Sequence, residues 1–275
     1  MKEGEETLEF CHPLIAEVIQ GELSQALRRR MHRKIAEVLQ REYGGEGRLQ
    51  ELAMHSMEGH AGTSAVRHAL ALASKSRAEF SHESALRCFQ YVFSNRGDLT
   101  SDELCQAAID ASDTMFALGM PKRAIQILKS EMGKNRRIEG ELKSRMLMQL
   151  AMSYQHLGDF RMQETCCRQG LRYFRNQPEN QPNLTKAMLW AQLAFGAILQ
   201  SQPRRGIRFL GSAVQSCPDP NSGALAGRIQ NLAASLHRIV CSLDMALTAS
   251  KKAADILSYC GESYLTCSAY STLGI

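Results

Sequence analysis

Of 275 residues, 44% are hydrophobic and 22% charged, with 20 Gly, 7 Pro and one Trp, which excludes a disordered tract, a collagen and a membrane-embedded chain. The apolar set holds 32 Leu, 31 Ala and 13 Met against 6 Val, and such unbranched side chains favour helix over a large sheet. Lys and Arg exceed Asp and Glu by 33 to 28, a surplus spread along the chain and too small to imply nucleic acid by itself.

The first six residues carry four charges and no apolar core of the kind a signal peptide needs, and no later apolar run reaches about 18 residues. A cytoplasmic chain with no membrane partner is expected. Between Leu8 and Tyr43 apolar residues recur at helical spacing (Leu14, Val18, Leu23, Leu27, Met31, Ile35, Val38, Leu39), broken at Pro13 and Gly21, so one short and one long helix are predicted. Gly44, Gly45 and Gly47 end the long helix. A third helix is expected from about Leu49 to Glu58, stopped by Gly59 and Gly62, with Thr63 or Ser64 capping the next.

Beyond Ser64 the chain repeats itself. The clearest unit begins at Ser144 and carries Leu150-Ala151, Tyr154, Gly158-Asp159-Phe160 and then Gln163. A large residue before a small one, an aromatic three positions on, a turn glycine and a further aromatic resemble the tetratricopeptide pattern in order and spacing, although Gln163 stands where that pattern has Ala. Further units align with first positions at Val66, Cys105, Ala187 and Gly227. Their second helices then place Ala85, Ala124, Gly206 and Ala246 at the small position, and Phe89, Leu128, Leu210 and, less well, Ser250 four residues later. Gly119 matches the turn glycine Gly158, and loops fall at 133–135, 176–182 and 218–223. The expectation is an all-α, right-handed helical-repeat (tetratricopeptide-like) solenoid of about five helix pairs: a linker over 1–63, then repeats at 66–104, 105–143, 144–186, 187–226 and 227–266. A sixth repeat would start at Cys267 and be cut short, leaving an apolar face uncovered after Cys260.

A second resemblance lies in the first ninety residues. Phe10-Cys11-His12-Pro13-Leu14-Ile15, Arg30-Met31-His32-Arg33-Lys34-Ile35-Ala36 and Glu51-Leu52-Ala53-Met54-His55 form a spaced series. It resembles the segment that joins the winged-helix end of signal-transduction ATPases with numerous domains to their tetratricopeptide tails, with Met31 in place of the usual Leu. That family includes maltose-regulator-type activators and ATPase modules attached to kinases or nucleotide cyclases. The resemblance implies a regulatory tail beside an ATPase or kinase domain, sensing a protein, a peptide or a small inducer. His12, His32 and His55 read as packing residues that hydrogen-bond a neighbouring backbone.

No site for chemistry emerges. Gly133-Lys134-Asn135 lacks the earlier glycine and the hydroxyl residue of a phosphate loop, Leu86 stands where a zinc-protease helix starting at His82 needs its second His, and His55, His60 and His68 are not spaced to share a helix face. Neither a catalytic residue nor a cofactor or metal is expected. The nine cysteines, at 11, 88, 105, 166, 167, 217, 241, 260 and 267, include no C-x-x-C pair and read as reduced core residues.

In stacked helix pairs, first-helix residues that do not pack against a neighbour face a groove. Repeat positions 2, 5, 9, 12 and 13 nominate Arg67, Arg77, Asp113, Phe116, Arg145, Gln155, His156, Phe195, Asn231 and Arg238 as partner-binding residues. Four arginines among ten suggest an acidic peptide or other anionic ligand. The alternative reading is nucleic-acid binding through the basic helix 28–34, whose phosphate contacts would weaken steeply with salt.

Overall fold

The computed structural model describes Val18 and residues 21–43, 47–135, 138, 140–175, 182–219, 221 and 223–260. Among these residues there is no strand, and the helices are α1 (Gln25–Tyr43), α2 (Leu49–Glu58), α3 (Thr63–Ala78), α4 (His82–Asn95), α5 (Ser101–Ala117), α6 (Pro121–Lys134), α7 (Gly140–His156), α8 (Phe160–Leu171), α9 (Leu184–Leu199), α10 (Pro203–Ser216), α11 (Gly223–Ile239) and α12 (Leu243–Tyr259). The all-α helical-repeat fold expected from the sequence is the one observed. The predicted short helix before Gly21, His12 and the sixth repeat lie outside the described residues.

The chain divides into two compact units, Met1–Leu99 and Thr100–Ile275. In the first, α1 packs on α2, α2 on α3 and α3 on α4. Gly59 lets α1 approach closely, since a Cβ there would lie 2.7 Å from the backbone nitrogen of Arg33. Neither Thr63 nor Ser64 caps α3: Gly62 is the N-cap, and the Ser64 hydroxyl turns back to the carbonyl of Ala61 at 2.8 Å. The glycine reaches the positive φ of 66° that this entry turn takes, and no side chain there caps the helix.

In the second unit α5/α6, α7/α8, α9/α10 and α11/α12 are hairpins, each second helix packs on the following first helix, and successive first helices pack on one another. The starts of the helices follow local chemistry. Thr100, Asp159 and Asn183 accept a backbone N–H three residues on, and Pro121 and Pro203 occupy the first turn, where a missing N–H costs nothing.

The positions aligned by spacing share burial. All five first positions are buried (Val66, Cys105, Ser144, Ala187, Gly227), as are the second-helix positions Ala85, Ala124, Gln163, Gly206 and Ala246. The residues four further on, Phe89, Leu128, Cys167, Leu210 and Ser250, are buried too. One turn recurs between helices. The N–H of Ala61, Ser81, Met120, Asp159, Gln202 and Ser242 donates to the carbonyl five residues back at 2.8–3.0 Å, and the residue before each has positive φ. This is the Schellman ending of a helix, whose left-handed residue is by preference glycine. Only Gly119 and Gly158 follow that preference; His60, Phe80, Ser201 and Cys241 hold the same conformation with a Cβ.

Gln163, the departure from the repeat pattern, is 1% exposed and fits because of Gly196. A Cβ on Gly196 would sit 2.5 Å from the Gln163 Oε1. One hairpin later the sizes reverse: the second helix offers Gly206, and the next first helix fills the space with Leu236, whose Cδ2 lies 2.7 Å from where a Gly206 Cβ would be. At these two junctions a glycine on one helix makes room for a long side chain on its neighbour. The same two positions hold Ala124 and Ser153 one hairpin earlier.

Candidate functional site

The groove of the second unit runs between α9 and α11 and ends at the C-terminal turn of α7. It encloses about 370 Å³. α9 contributes Met188, Ala191, Gln192 and Phe195, which share one face at i, i+3, i+4 and i+7; α11 contributes Leu225, Arg228, Asn231, Leu232 and Ser235 in the same manner; Gln155 closes the α7 end. The walls are mainly apolar with a few polar groups, the usual make-up of a binding cleft.

Those polar groups are fixed from behind. The buried Gln163 Nε2 donates to the Gln155 Oε1 at 3.1 Å and to the Gln192 carbonyl at 2.9 Å, so Gln155 is held by a side chain the groove does not expose. The Ser235 hydroxyl donates to the Asn231 carbonyl at 3.1 Å. The Gln192 Oε1 is buried and meets no hydrogen-bond donor among the described residues. A buried acceptor without a donor costs free energy that a ligand N–H recovers.

Of the ten nominated residues, Gln155, Phe195 and Asn231 line this groove. A second set meets between α5 and α7. Asp113 accepts from the Gln149 Nε2 at 2.7 Å, and Phe116 stands edge-on to His156 with ring centroids 4.0 Å apart and 78° between planes. Burial lowers the His156 pKa, so the ring facing Phe116 resists protonation. Arg145 is half-buried on α7, and Arg238 is exposed in the last turn of α11. The other two belong to the first unit. Arg67 grips Asp98 with three contacts of 3.1–3.2 Å, and Arg77 ends α3 half-buried. Spacing missed Gln192, which occupies repeat position 6 beside the chosen position 5. It also missed Arg228, although position 2 of its repeat pointed to it.

The histidines pair differently from the expectation. His32 and His55 hydrogen-bond each other rather than a backbone group, and His68 bonds the Ser56 hydroxyl at 2.9 Å. Histidine 60 packs near Tyr91, with centroids 6.5 Å apart. Among the described residues no three His, Cys, Asp or Glu side chains converge as a metal site would require, and no helix is long and apolar enough to cross a membrane. Arg28, Arg29, Arg30, Arg33 and Lys34 are exposed on α1, together with a line of half-exposed apolar residues, Leu27, Met31, Ile35 and Val38. Cys166 and Cys167 are both buried, and burial pushes the Cys166 thiol up to about 11 and Cys167 higher still, so neither is a thiolate near neutrality.

No family model and no curated protein matches the chain. Solved structures do. A tetratricopeptide repeat protein from Parabacteroides merdae is 13% identical over 93% of this chain and 90% of its own, with a TM-score of 0.56. TTC0263, a thermophilic TPR protein of Thermus thermophilus, is 18% identical over 77% of this chain and 100% of its own, also at 0.56. BtubC from P. vanneervenii is 14% identical over 86% and 92%, at 0.57. At such identities the likeness is one of fold, and the fold of this chain is a helical repeat of the tetratricopeptide type.

Proposed function

We propose that the chain is a non-catalytic interaction scaffold whose second unit binds a peptide segment of a partner protein along α9 and α11. The observation that carries this reading is the cleft itself, in which an apolar wall of Met188, Phe195, Leu225 and Leu232 stands beside Gln155, Gln192, Arg228, Asn231 and Ser235, with the buried Gln192 Oε1 lacking a donor among the described residues. A peptide N–H supplies that donor, and Met188, Phe195, Leu225 and Leu232 accept apolar side chains beside it. Arg228 on the groove wall, with Arg238 further along α11, favours acidic residues in the ligand. Arg67, committed to Asp98, takes no part.

The spaced series from Phe10 to His55 supports a finer reading, in which the scaffold is the regulatory tail of a cytoplasmic multidomain signalling ATPase or kinase. A bound peptide or small inducer would then bias the neighbouring domain through different affinities for its two states.

Peptides selected from a display library against the full chain, and titrated by fluorescence anisotropy, test the groove. Gln192→Leu removes the acceptor and Phe195→Ala the apolar contact, and each is expected to weaken the selected peptides about tenfold, the equivalent of one lost buried hydrogen bond or aromatic contact. Arg67→Ala is expected to change nothing. Selected peptides that bind both groove variants as tightly as the parent chain would remove the proposal.

A further inference from the structure

Two histidines 23 positions apart meet side chain to side chain in the first unit. His32 on α1 and His55 on α2 set Nδ1 against Nδ1 at 2.8 Å, with ring centroids 5.0 Å apart and 34° between planes. A hydrogen bond between two imidazoles needs one Nδ1 that carries hydrogen and one that is bare. The contact therefore exists while at least one ring is neutral. When both are protonated each Nδ1 is a donor, no acceptor remains, and two cations face each other at contact distance.

This bond lies where α1 is thinly held. The buried apolar cluster joining α1 to α2 consists of Ala36, Leu39 and Leu52. A further polar tie is the Arg33 guanidinium donating to the Gly59 carbonyl at 3.3 Å. One residue beyond His55, the Ser56 hydroxyl meets the His68 Nδ1 at 2.9 Å and links α2 to α3.

We propose that His32 and His55 form an acid-sensitive clasp, which holds α1 on α2 when one ring is neutral and releases it when both are protonated.

The charges around the pair set the direction. Burial is the largest influence on His55 and lowers its pKa, and His32 across the interface lowers it further; Glu51 and Glu58, on the same helix, pull it back in part. From α1, Arg33 is turned to the Gly59 carbonyl; from α3, His68 is itself lowered by burial and bonded to Ser56. A histidine whose folded-state pKa is depressed binds its proton more readily once unfolded. Its contribution is therefore full above the ordinary value of 6.5 and is lost as pH falls from there through the lower folded value. Release frees a helix that already carries Leu27, Met31, Ile35 and Val38 on its outer side and adds Ala36 and Leu39 on the inner one.

Amide hydrogen exchange on the full chain at pH 7.5 and 5.0, corrected for intrinsic rates, reads the clasp directly. Protection of α1 relative to α9, which carries no histidine, is expected to fall by about tenfold at pH 5.0, the equivalent of one lost hydrogen bond between part-buried side chains. His55→Asn keeps a side chain able to donate and accept near the Nδ1 position but removes the titrating ring, and it is expected to hold that fall under about twofold; His32→Asn leaves the burial of His55 in place and is expected to reduce the fall in part. Imidazole nitrogen shifts at pH 7.5 should show one ring as the Nδ1–H tautomer and the other as the Nε2–H tautomer. The proposal is overturned if α1 and α9 lose protection equally, if both Asn variants keep the parent's pH dependence, or if both rings are Nε2–H tautomers. Should one Asn variant fail to fold, the other and the tautomer assignment still decide.

Discussion

Replacing Gly196 with alanine tests how this repeat accommodates a buried glutamine. The new Cβ would stand 2.5 Å from the Gln163 Oε1 and 3.0 Å from its Cδ and Nε2, so the amide must move. It has little freedom, being 1% exposed and bonded through Nε2 to Gln155 and to the Gln192 carbonyl. Displacing a buried amide from a hydrogen bond costs about 1–3 kcal/mol, and the overpacking itself about 1–3 kcal/mol. Against this, alanine is better than glycine inside a helix by about 1 kcal/mol. Gly196→Ala should therefore destabilise the chain by about 1–5 kcal/mol. Gln163→Ala removes the group that is struck, and the double variant presents Ala against Ala, close to the Ala124 and Ser153 found one hairpin earlier. Urea unfolding of the four chains, with m-values compared to detect a change in cooperativity, gives the coupling free energy, expected near 1.5 kcal/mol in favour of the pair. Effects that simply add to within about 0.5 kcal/mol would refute the reasoning, because the two positions would then not share one volume.

The recurring turn and the thiols supply two more expectations. Ser201 holds a φ of 56° where Gly158 holds 74°. A side chain in the left-handed region costs about 1–2 kcal/mol, partly offset by the greater freedom of glycine in the unfolded chain. Ser201→Gly should therefore raise stability by about 0.5–1 kcal/mol and Gly158→Ala lower it by about 1 kcal/mol in thermal melts, and opposite signs would dismiss the turn argument. Brief iodoacetamide treatment of the native chain at pH 8, mapped by mass spectrometry, should label the exposed Cys241 and Cys260 while Cys88, Cys105, Cys166, Cys167 and Cys217 stay protected. Labelling of Cys166 as fast as Cys241 would contradict the raised thiol pKa that burial imposes on it.

What could be read from the sequence, and what could not, divides along the range of the interactions. The helical-repeat fold was legible because it depends on residue size at fixed offsets, and the aligned Val66, Cys105, Ser144, Ala187 and Gly227 are all buried. The α2 limits, Leu49 and Glu58, were legible because a glycine follows directly. Pairings across helices were not. Arg67 looks like a groove cation until Asp98, 31 residues later, folds back onto it, and His32 and His55 need the α1–α2 crossing to meet. Gln163 looks like an error in the pattern because its justification is an absent side chain 33 positions on, at Gly196. Gln192 carried no signal of its own. Its importance comes from what its amide oxygen fails to meet, which no spacing rule records.

The pairing of a glycine with a long side chain across a junction bears on how such a chain can be recombined. The hairpin looks like the natural cassette, yet the matched sizes lie on the second helix of one hairpin and the first helix of the next. Excising α9 and α10 to join α8 to α11 would set Gln163 against Leu236, two large residues in one space. Excising α7 and α8 would set Ala124 against Gly196 and leave a void. A segment that can be moved intact therefore begins in the middle of one hairpin and ends in the middle of another, carrying Gln163 with Gly196 or Gly206 with Leu236. Insertions and deletions that respect those half-hairpin boundaries should be tolerated better in this chain than those cut between one hairpin and the next.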